Sequence, residues 1–430
     1  MLRKTTSILL GFAFCAFAFP NVLRAQAGDP DIEHLTIYNA GIGEFLEERM
    51  IMLQPGMNAV EWRSLMPKAN IRTVRVIVEN AEVLRQDVTF DGIQVNNERS
   101  PVLHLIINNR GPASRRLVQV DYLAPNISWR SDFSLVLDPT PNGEPPTSAS
   151  FDSWVSISNN TGTDLNAGTV DLVAGEIALL PDGGTSDYQR YANITSNQMS
   201  SMPGSDESGE TSYADISSLS AFNRFTLGTN INLNANVSIN RFPIFQGARL
   251  VIEQRNIFEN TSDAQTLARG GFIMLPRGLE VRLIAKNTAS APLSAGLVTI
   301  YQRTGTLGQV VGQDRIQFTP QNGEFTVTQG RSATLFGTRR IVERRVINYR
   351  DAANVNRDKL VTQIEIVLTN RGGREATAFV REGIERYDNN EWKIVESSIP
   401  NEPLGSNMVQ FKVTVPANGK TTITYTVENE

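Results

Sequence analysis

Apolar and polar side chains alternate in short runs along this chain, and the runs end in Gly, Pro, Asn or Asp. A period of two puts successive side chains on opposite faces of a strand. Ile423, Tyr425 and Val427 therefore share one face and Thr422, Thr424 and Thr426 the other, as in a strand with one buried and one wet side. The same pattern predicts strands at 34–38, 72–78, 102–107, 117–122, 154–158, 297–301, 364–368 and 421–427. Beyond residue 27 no stretch carries the period of an amphipathic helix of three turns or more. The expected fold class is all-β.

A loose unit recurs in which a strand leads through an Asn-bearing turn into the next strand. It is seen at Asn108-Asn109-Arg110-Gly111, Asn160-Thr161-Gly162, Asn287-Thr288 and Asn370-Arg371-Gly372. Asn and Gly tolerate positive φ and so suit tight turns between antiparallel strands. A second turn type places Pro just before Gly, at Pro55-Gly56 and from Pro416 to Gly419. The spacings vary too much for a solenoid or propeller, which need a fixed period, and tandem immunoglobulin-like β-sandwiches fit better. Residues 181–220, rich in Ser, Gly, Asp and Asn, read as a polar flexible insert. The expected division is a signal peptide at 1–27, an N-terminal β domain at 28–115, a central β domain at 116–355 containing the insert, and a C-terminal immunoglobulin-like sandwich at 356–430.

The first 27 residues change where the protein is expected to work. Arg3 and Lys4 precede an apolar run of 12 from Ile8 to Phe19, and Ala25-Gln26-Ala27 is a small-x-small cleavage site. The run is shorter than the roughly 20 residues a spanning helix needs, and no later stretch is long enough to be a transmembrane span. The expected location is periplasmic or extracellular. Cleavage removes Arg3, Lys4 and Arg24 from 40 basic residues and none from 45 acidic ones, leaving 37 against 45, a net charge of −8. That balance disfavours nucleic acid as a partner. The single cysteine, Cys15, leaves with the signal, so a processed chain has no disulfide or thiolate ligand.

Candidate chemistry is sparse. The chain has two histidines, His34 and His104, so a Ser-His-Asp triad has only these as base. His104 alternates with apolar neighbours and reads as a structural strand residue, while His34 reads as a solvated side chain near the processed N-terminus. Gly419-Lys420-Thr421 has Thr414 where a phosphate loop needs Gly, and Gly41-Ile42-Gly43 has Leu46 where a dinucleotide loop needs its third Gly. Asp206, Glu207 and Glu210 match no calcium loop. The strand from Arg339 to Ile347 puts Arg340, Val342, Arg344 and Val346 on one face and Ile341, Glu343, Arg345 and Ile347 on the other, so neither face is wholly basic. Trp62, Trp129, Trp154 and Trp392 would stack on sugar rings if exposed, but in sandwiches Trp is more often core. An Asp/Glu pair of the glycosidase kind remains open, because separation in space decides it.

Residues 116–175 resemble a known family. They contain Tyr122-Leu123-Ala124-Pro125, Ser128-Trp129-Arg130, Leu135-Val136-Leu137-Asp138, the run from Trp154 to Asp164, and Val170-Asp171-Leu172-Val173-Ala174-Gly175. With the tail segments 308–316, 340–350, 364–371, 391–398 and 413–427, they are similar to the bacterial domain-of-unknown-function family 4139, the C-terminal region of mucoidy inhibitor A-like proteins. Weaker similarity at 33–90 covers the short β unit that usually precedes it. Leu165 stands where the family commonly has Trp, and the coiled coil often found between the two β parts is missing. The resemblance implies an all-β fold and carries over no catalytic, cofactor-binding or metal-ligating residue. The sequence thus assigns no such residue and expects no cofactor. It points to an exported non-enzymatic binding or scaffold module of the cell envelope, its partner an unknown envelope protein or glycan. A carbohydrate-active enzyme with an Asp/Glu pair and a carbohydrate-binding module are the alternatives.

Overall fold

The computed structural model describes residues 22–24, 32–92, 94–95, 98–141, 144–174, 223–260, 273–305, 307–350, 354–384 and 392–429. The polar insert at 181–220, the apolar run from Ile8 to Phe19, Asp206, Glu207 and Glu210 lie outside them. The fold is all-β, with one 3-10 turn, Ile71–Thr73, among the described residues. Residues 72–78 are accordingly not one strand. Asn70 caps the turn by accepting from the Arg72 N–H, the backbone is extended again at Val74, and the strand begins at Arg75.

In chain order the first strands are β1 (Val22–Arg24), β2 (Ile32–Tyr38), β3 (Ile42–Leu53), β4 (Gly56–Trp62), β5 (Arg75–Val78), β6 (Glu82–Thr89) and β7 (Gln94–Val95). There follow β8 (Glu98–Arg99), β9 (Val102–Asn109), β10 (Ser114–Pro125), β11 (Ile127–Leu137), β12 (Ser148–Asn159), β13 (Leu165–Ala174) and β14 (Asn223–Leu233). Contacts divide the chain into two units, Met1–Arg130 with Ser156–Arg241, and Ser131–Val155 with Phe242–Glu430. Each is discontinuous because the divisions fall within β11, β12 and the strand that begins at Asn240.

The first unit holds a six-stranded sheet, β14-β13-β2-β3-β10-β5, and a four-stranded sheet, β1-β4-β9-β6. Alternation assigns their faces. On β3, Phe45, Glu47, Ile51 and Leu53 are buried while Glu44, Leu46, Glu48, Met50 and Met52 face outward. The sheets meet through polar as well as apolar atoms: the Trp62 indole of β4 donates to Glu47 of β3 at 2.8 Å. Glu47 also accepts from the Tyr122 hydroxyl at 2.7 Å and from Ser64, so a fully buried carboxylate is held by three donors.

The second unit continues with β15 (Asn240–Asn260), β16 (Ile273–Lys286), β17 (Gly296–Thr304), β18 (Leu307–Ile316), β19 (Glu324–Arg350) and β20 (Asn356–Asn370). It ends with β21 (Ala376–Gly383), β22 (Trp392–Ser397), β23 (Glu402–Pro403), β24 (Met408–Val415) and β25 (Lys420–Asn429). Two cores form here. One gathers Phe133, Phe151, Leu283, Val298 and Phe325, the other Phe258, Ile366, Phe411, Ile423 and Tyr425. The long strands β15, β16 and β19 contribute to both. Pairing of β16 with β19 slips at three points between Met274 and Arg282, which lets a strand leave one core and enter the next. The alternation of residues 421–427 holds, with Ile423, Tyr425 and Val427 buried.

Four buried asparagines close these layers in the same way. Asn109, Asn159, Asn287 and Asn370 each accept at Oδ1 from the N–H two residues on: Gly111, Thr161, Ala289 and Gly372. Each also donates from Nδ2 to a carbonyl within its own turn and to one at the end of a remote segment, at Leu53, Leu233, Thr319 and Val415. The loose sequence unit is thus a structural corner. In its second copy the buried member is Asn159, one residue before the Asn160–Gly162 turn. Gly419-Lys420-Thr421 belongs to such a corner too, since the Gly419 N–H closes a hairpin turn on the Pro416 carbonyl at 3.2 Å.

Replacing Asn370 by Ala leaves the Val415 carbonyl without this donor in a buried setting and the Arg374 carbonyl in a part-buried one. We expect a loss of about 2 kcal/mol, read as a lower urea midpoint at pH 7 with an unchanged slope. An unchanged midpoint contradicts the role given to the corner.

Candidate functional site

The outer face of the six-stranded sheet brings a set of polar and charged side chains together. β2 contributes His34, Thr36 and Tyr38, β3 contributes Glu44, β10 contributes Asp121, β5 contributes Arg75 and β13 contributes Asp171. Register brings them together: Thr36 lies opposite Glu44 and Asp171, Leu46 opposite Asp121, and Asp121 opposite Arg75. Alternation on five neighbouring strands makes one polar strip across the sheet.

A groove of about 300 Å³ opens on this strip, lined by Tyr38, Ile42, Glu44, Thr73, Arg75, Asp121, Tyr122 and Leu123. Its polar groups are tied in pairs. The Tyr38 hydroxyl donates to Glu44 at 2.8 Å, and Arg75 meets Asp121 at 2.6 Å. Burial, reinforced by the bond to Glu44, pushes the Tyr38 phenol up, so it is a donor throughout the physiological range. Glu44 lies opposite Leu123, which makes Asp121 its diagonal neighbour at roughly 7 Å between Cβ atoms. Both carboxylates keep lone pairs for a further donor.

Beside the groove, the Asp171 carboxylate is fully buried and faces His34 and Arg224. His34 Nε2 is 2.9 Å from Oδ2, and Arg224 of β14 pairs with the same oxygen. His34 is therefore not a free solvated side chain, as its place near the N-terminus suggests. It is held on β2 by a carboxylate from the parallel strand β13. No local signal in the sequence marks that partner, because it depends on which strands adjoin.

His104 sits on the four-stranded sheet between apolar neighbours that point inward, as expected of a strand residue. Its Nε2 lies 2.9 Å from Thr89 Oγ1 and its Nδ1 3.9 Å from Glu61. The order Thr, His, Glu has the outline of a triad, but the Thr89 hydroxyl already donates to Asp91 at 2.5 Å. A base taking that proton would have to break the bond. Trp62 and Trp129 are buried in the core, whereas Trp154 and Trp392 are half-buried. Gly41 makes the turn between β2 and β3 at φ +85°.

In the Arg339–Ile347 stretch the regular alternation fails at Val342, where pairing with β20 slips between Ile341 and Glu343. Around the slip Arg340 pairs with Glu365 and Arg345 with Glu343. Arg339 turns inward to Glu382 at 2.7 Å, and the Tyr425 hydroxyl donates to the same oxygen at 2.7 Å. Glu382 is the second unit's counterpart of Glu47, a carboxylate buried against an Arg and a Tyr. Neither was signalled by composition, and the visible clue is an acid on the buried face of a strand. Among the described residues no group of three or more His, Cys, Asp or Glu is arranged to hold a metal ion.

No family model matches the chain and no curated protein matches it.

Burial pushes the Glu382 carboxyl up against the opposing pull of Arg339. A carboxyl raised by folding contributes stability below its unfolded value, and loses it as pH rises through the folded value. The stability of the protein relative to Glu382→Gln, followed by urea unfolding, is expected to fall between pH 4 and pH 7. A difference that grows over this range contradicts the assignment.

Proposed function

We propose that this protein is an exported, non-catalytic β-sandwich module of the bacterial cell envelope, of the kind represented by the domain-of-unknown-function family 4139. Its binding surface is the outer face of the six-stranded sheet in the first unit. The observation that carries this reading is the groove on that face, whose donors and acceptors are fixed in pairs on four adjoining strands. Groups held on strands rather than loops are positioned before a ligand arrives, which suits recognition. The free lone pairs of Glu44 and Asp121 favour a ligand rich in hydrogen-bond donors, such as an envelope protein segment or a glycan. An exported location follows from the N-terminal pattern of charge, apolar run and small-residue site.

A second reading has its own observation. Glu44 and Asp121 share one face of neighbouring strands, as two carboxylates that flank a glycosidic bond must. Against it stand the two existing bonds, to Tyr38 and Arg75, which already engage both groups within the protein.

The test is site-specific photocrosslinking in cells. A crosslinker at Thr36, opposite Glu44, should capture one reproducible envelope component, whereas one at Val251, 82% exposed in the second unit, should not. Glu44→Gln should reduce capture about tenfold, the effect of losing one charge-assisted hydrogen bond. Equal capture at both positions would overturn the proposal. Hydrolysis of purified cell-wall glycan that both Glu44→Gln and Asp121→Asn abolish would replace it with the second reading.

A further inference from the structure

The described sheet edges differ in how they are guarded against pairing with another chain. β14 carries Asn230 at φ +54° and Gly228 at φ +151°, and it meets β13 across a slip at Val170/Asp171. β6 meets β9 across a slip at Val83/Arg85, β18 meets β17 at Ile300/Tyr301, and β22 meets β25 at Ile394/Glu396. β5 is only four residues long. Bulges and short length are the devices that blunt an edge. β4 has neither, since it pairs with β9 residue for residue from Gly56↔Asn109 to Trp62↔Leu103. It also lacks Lys and Pro.

In the full chain the other side of β4 is covered. β1 lies along it in parallel, with Val22 opposite Ala59, Leu23 opposite Val60 and Arg24 opposite Glu61. β1 falls within the segment that the cleavage site after Ala27 would remove. A processed protein loses this strand and uncovers the backbone N–H and C=O groups of Ala59, Val60 and Glu61.

We propose that the uncovered edge of β4 is a strand-addition site that takes an extended segment of a partner protein, parallel to β4. The proposal rests on the export reading above. Main-chain hydrogen bonds give such a site its affinity and alternate side chains its specificity. The position opposite Val60 shares the core-facing side, next to buried Val60 and Trp62, and takes an apolar residue. The position opposite Glu61 shares the wet side and favours a basic one. Val22-Leu23-Arg24 has this pattern, so the leader segment occupies the edge until processing and the partner afterwards.

The experiment begins with the intact mass of protein purified from the envelope fraction, which fixes its N-terminus. A fluorescent synthetic peptide spanning residues 20–27 is then titrated against it and followed by anisotropy. We expect a chain starting at residue 28 that binds the peptide saturably. Unprocessed chain should not bind it, and a Leu23→Pro peptide should bind at least about tenfold more weakly, because proline removes a donor from the ladder. A photocrosslinker at Ala59 should label the peptide, and one at Leu84 on the opposite edge strand should not. A mass that retains residues 20–27 overturns both this proposal and the export reading. A processed chain that ignores the peptide, or binds the proline variant equally, overturns this proposal alone. A processed chain that dimerises and refuses the peptide assigns the edge to a second copy and overturns it as well.

Discussion

A strand that ends beneath a packed layer leaves its last carbonyls inside, where an unpaired polar group costs about 1–3 kcal/mol. The rest of this fold depends on how that cost is avoided. At four places a buried asparagine supplies the missing partners, accepting from its own turn and donating to a carbonyl of a segment far away in sequence. Carboxamide is suited to the task because it carries donors and an acceptor without a charge to desolvate. Each corner fixes where a strand stops and which segment it stops against. Once that is set, period-two alternation decides which side chains form the core and which form the open face.

The open face of the first unit follows from this ordering. Glu44, Asp121, Tyr38 and Arg75 have defined positions because their inward neighbours, Phe45, Tyr122, Ile37 and Val76, are set by the packing of the layers beneath. The buried carboxylates Glu47 and Glu382 belong to the frame rather than to the surface. Each has no open route to a ligand and is held by donors that packing brings to it. Burial and partnering of this kind is costly to form and more costly to break, which makes the two groups determinants of the native arrangement.

Much of the fold is legible in the sequence because strand identity is a local property. The runs at 34–38, 102–107, 117–122 and 421–427 lie within observed strands, and the Asn-bearing turns fall at real corners. What could not be read is long-range. Asn159 looks no different from Asn160 until its amide reaches Leu233, 74 residues away. His34 looks solvated until β13 lies parallel to β2. The slip at Val342 breaks an alternation that the residues alone present as regular. One signal was there to be read: Pro320-Gln321-Asn322-Gly323 repeats the Pro416-Ala417-Asn418-Gly419 turn. Both asparagines take positive φ, and both turns close from Gly N–H to Pro carbonyl. The groove carried no sequence signal, since its members come from four strands and share only a face.

Native-state amide hydrogen exchange tests the central claim most directly. If the asparagine corners hold the layers together, the N–H groups of Gly111, Thr161, Ala289 and Gly372, though they lie in turns, exchange as slowly as those of the core strands beside them. Exchange at the rate of exposed turns at these four positions, with the neighbouring strands protected, would contradict it.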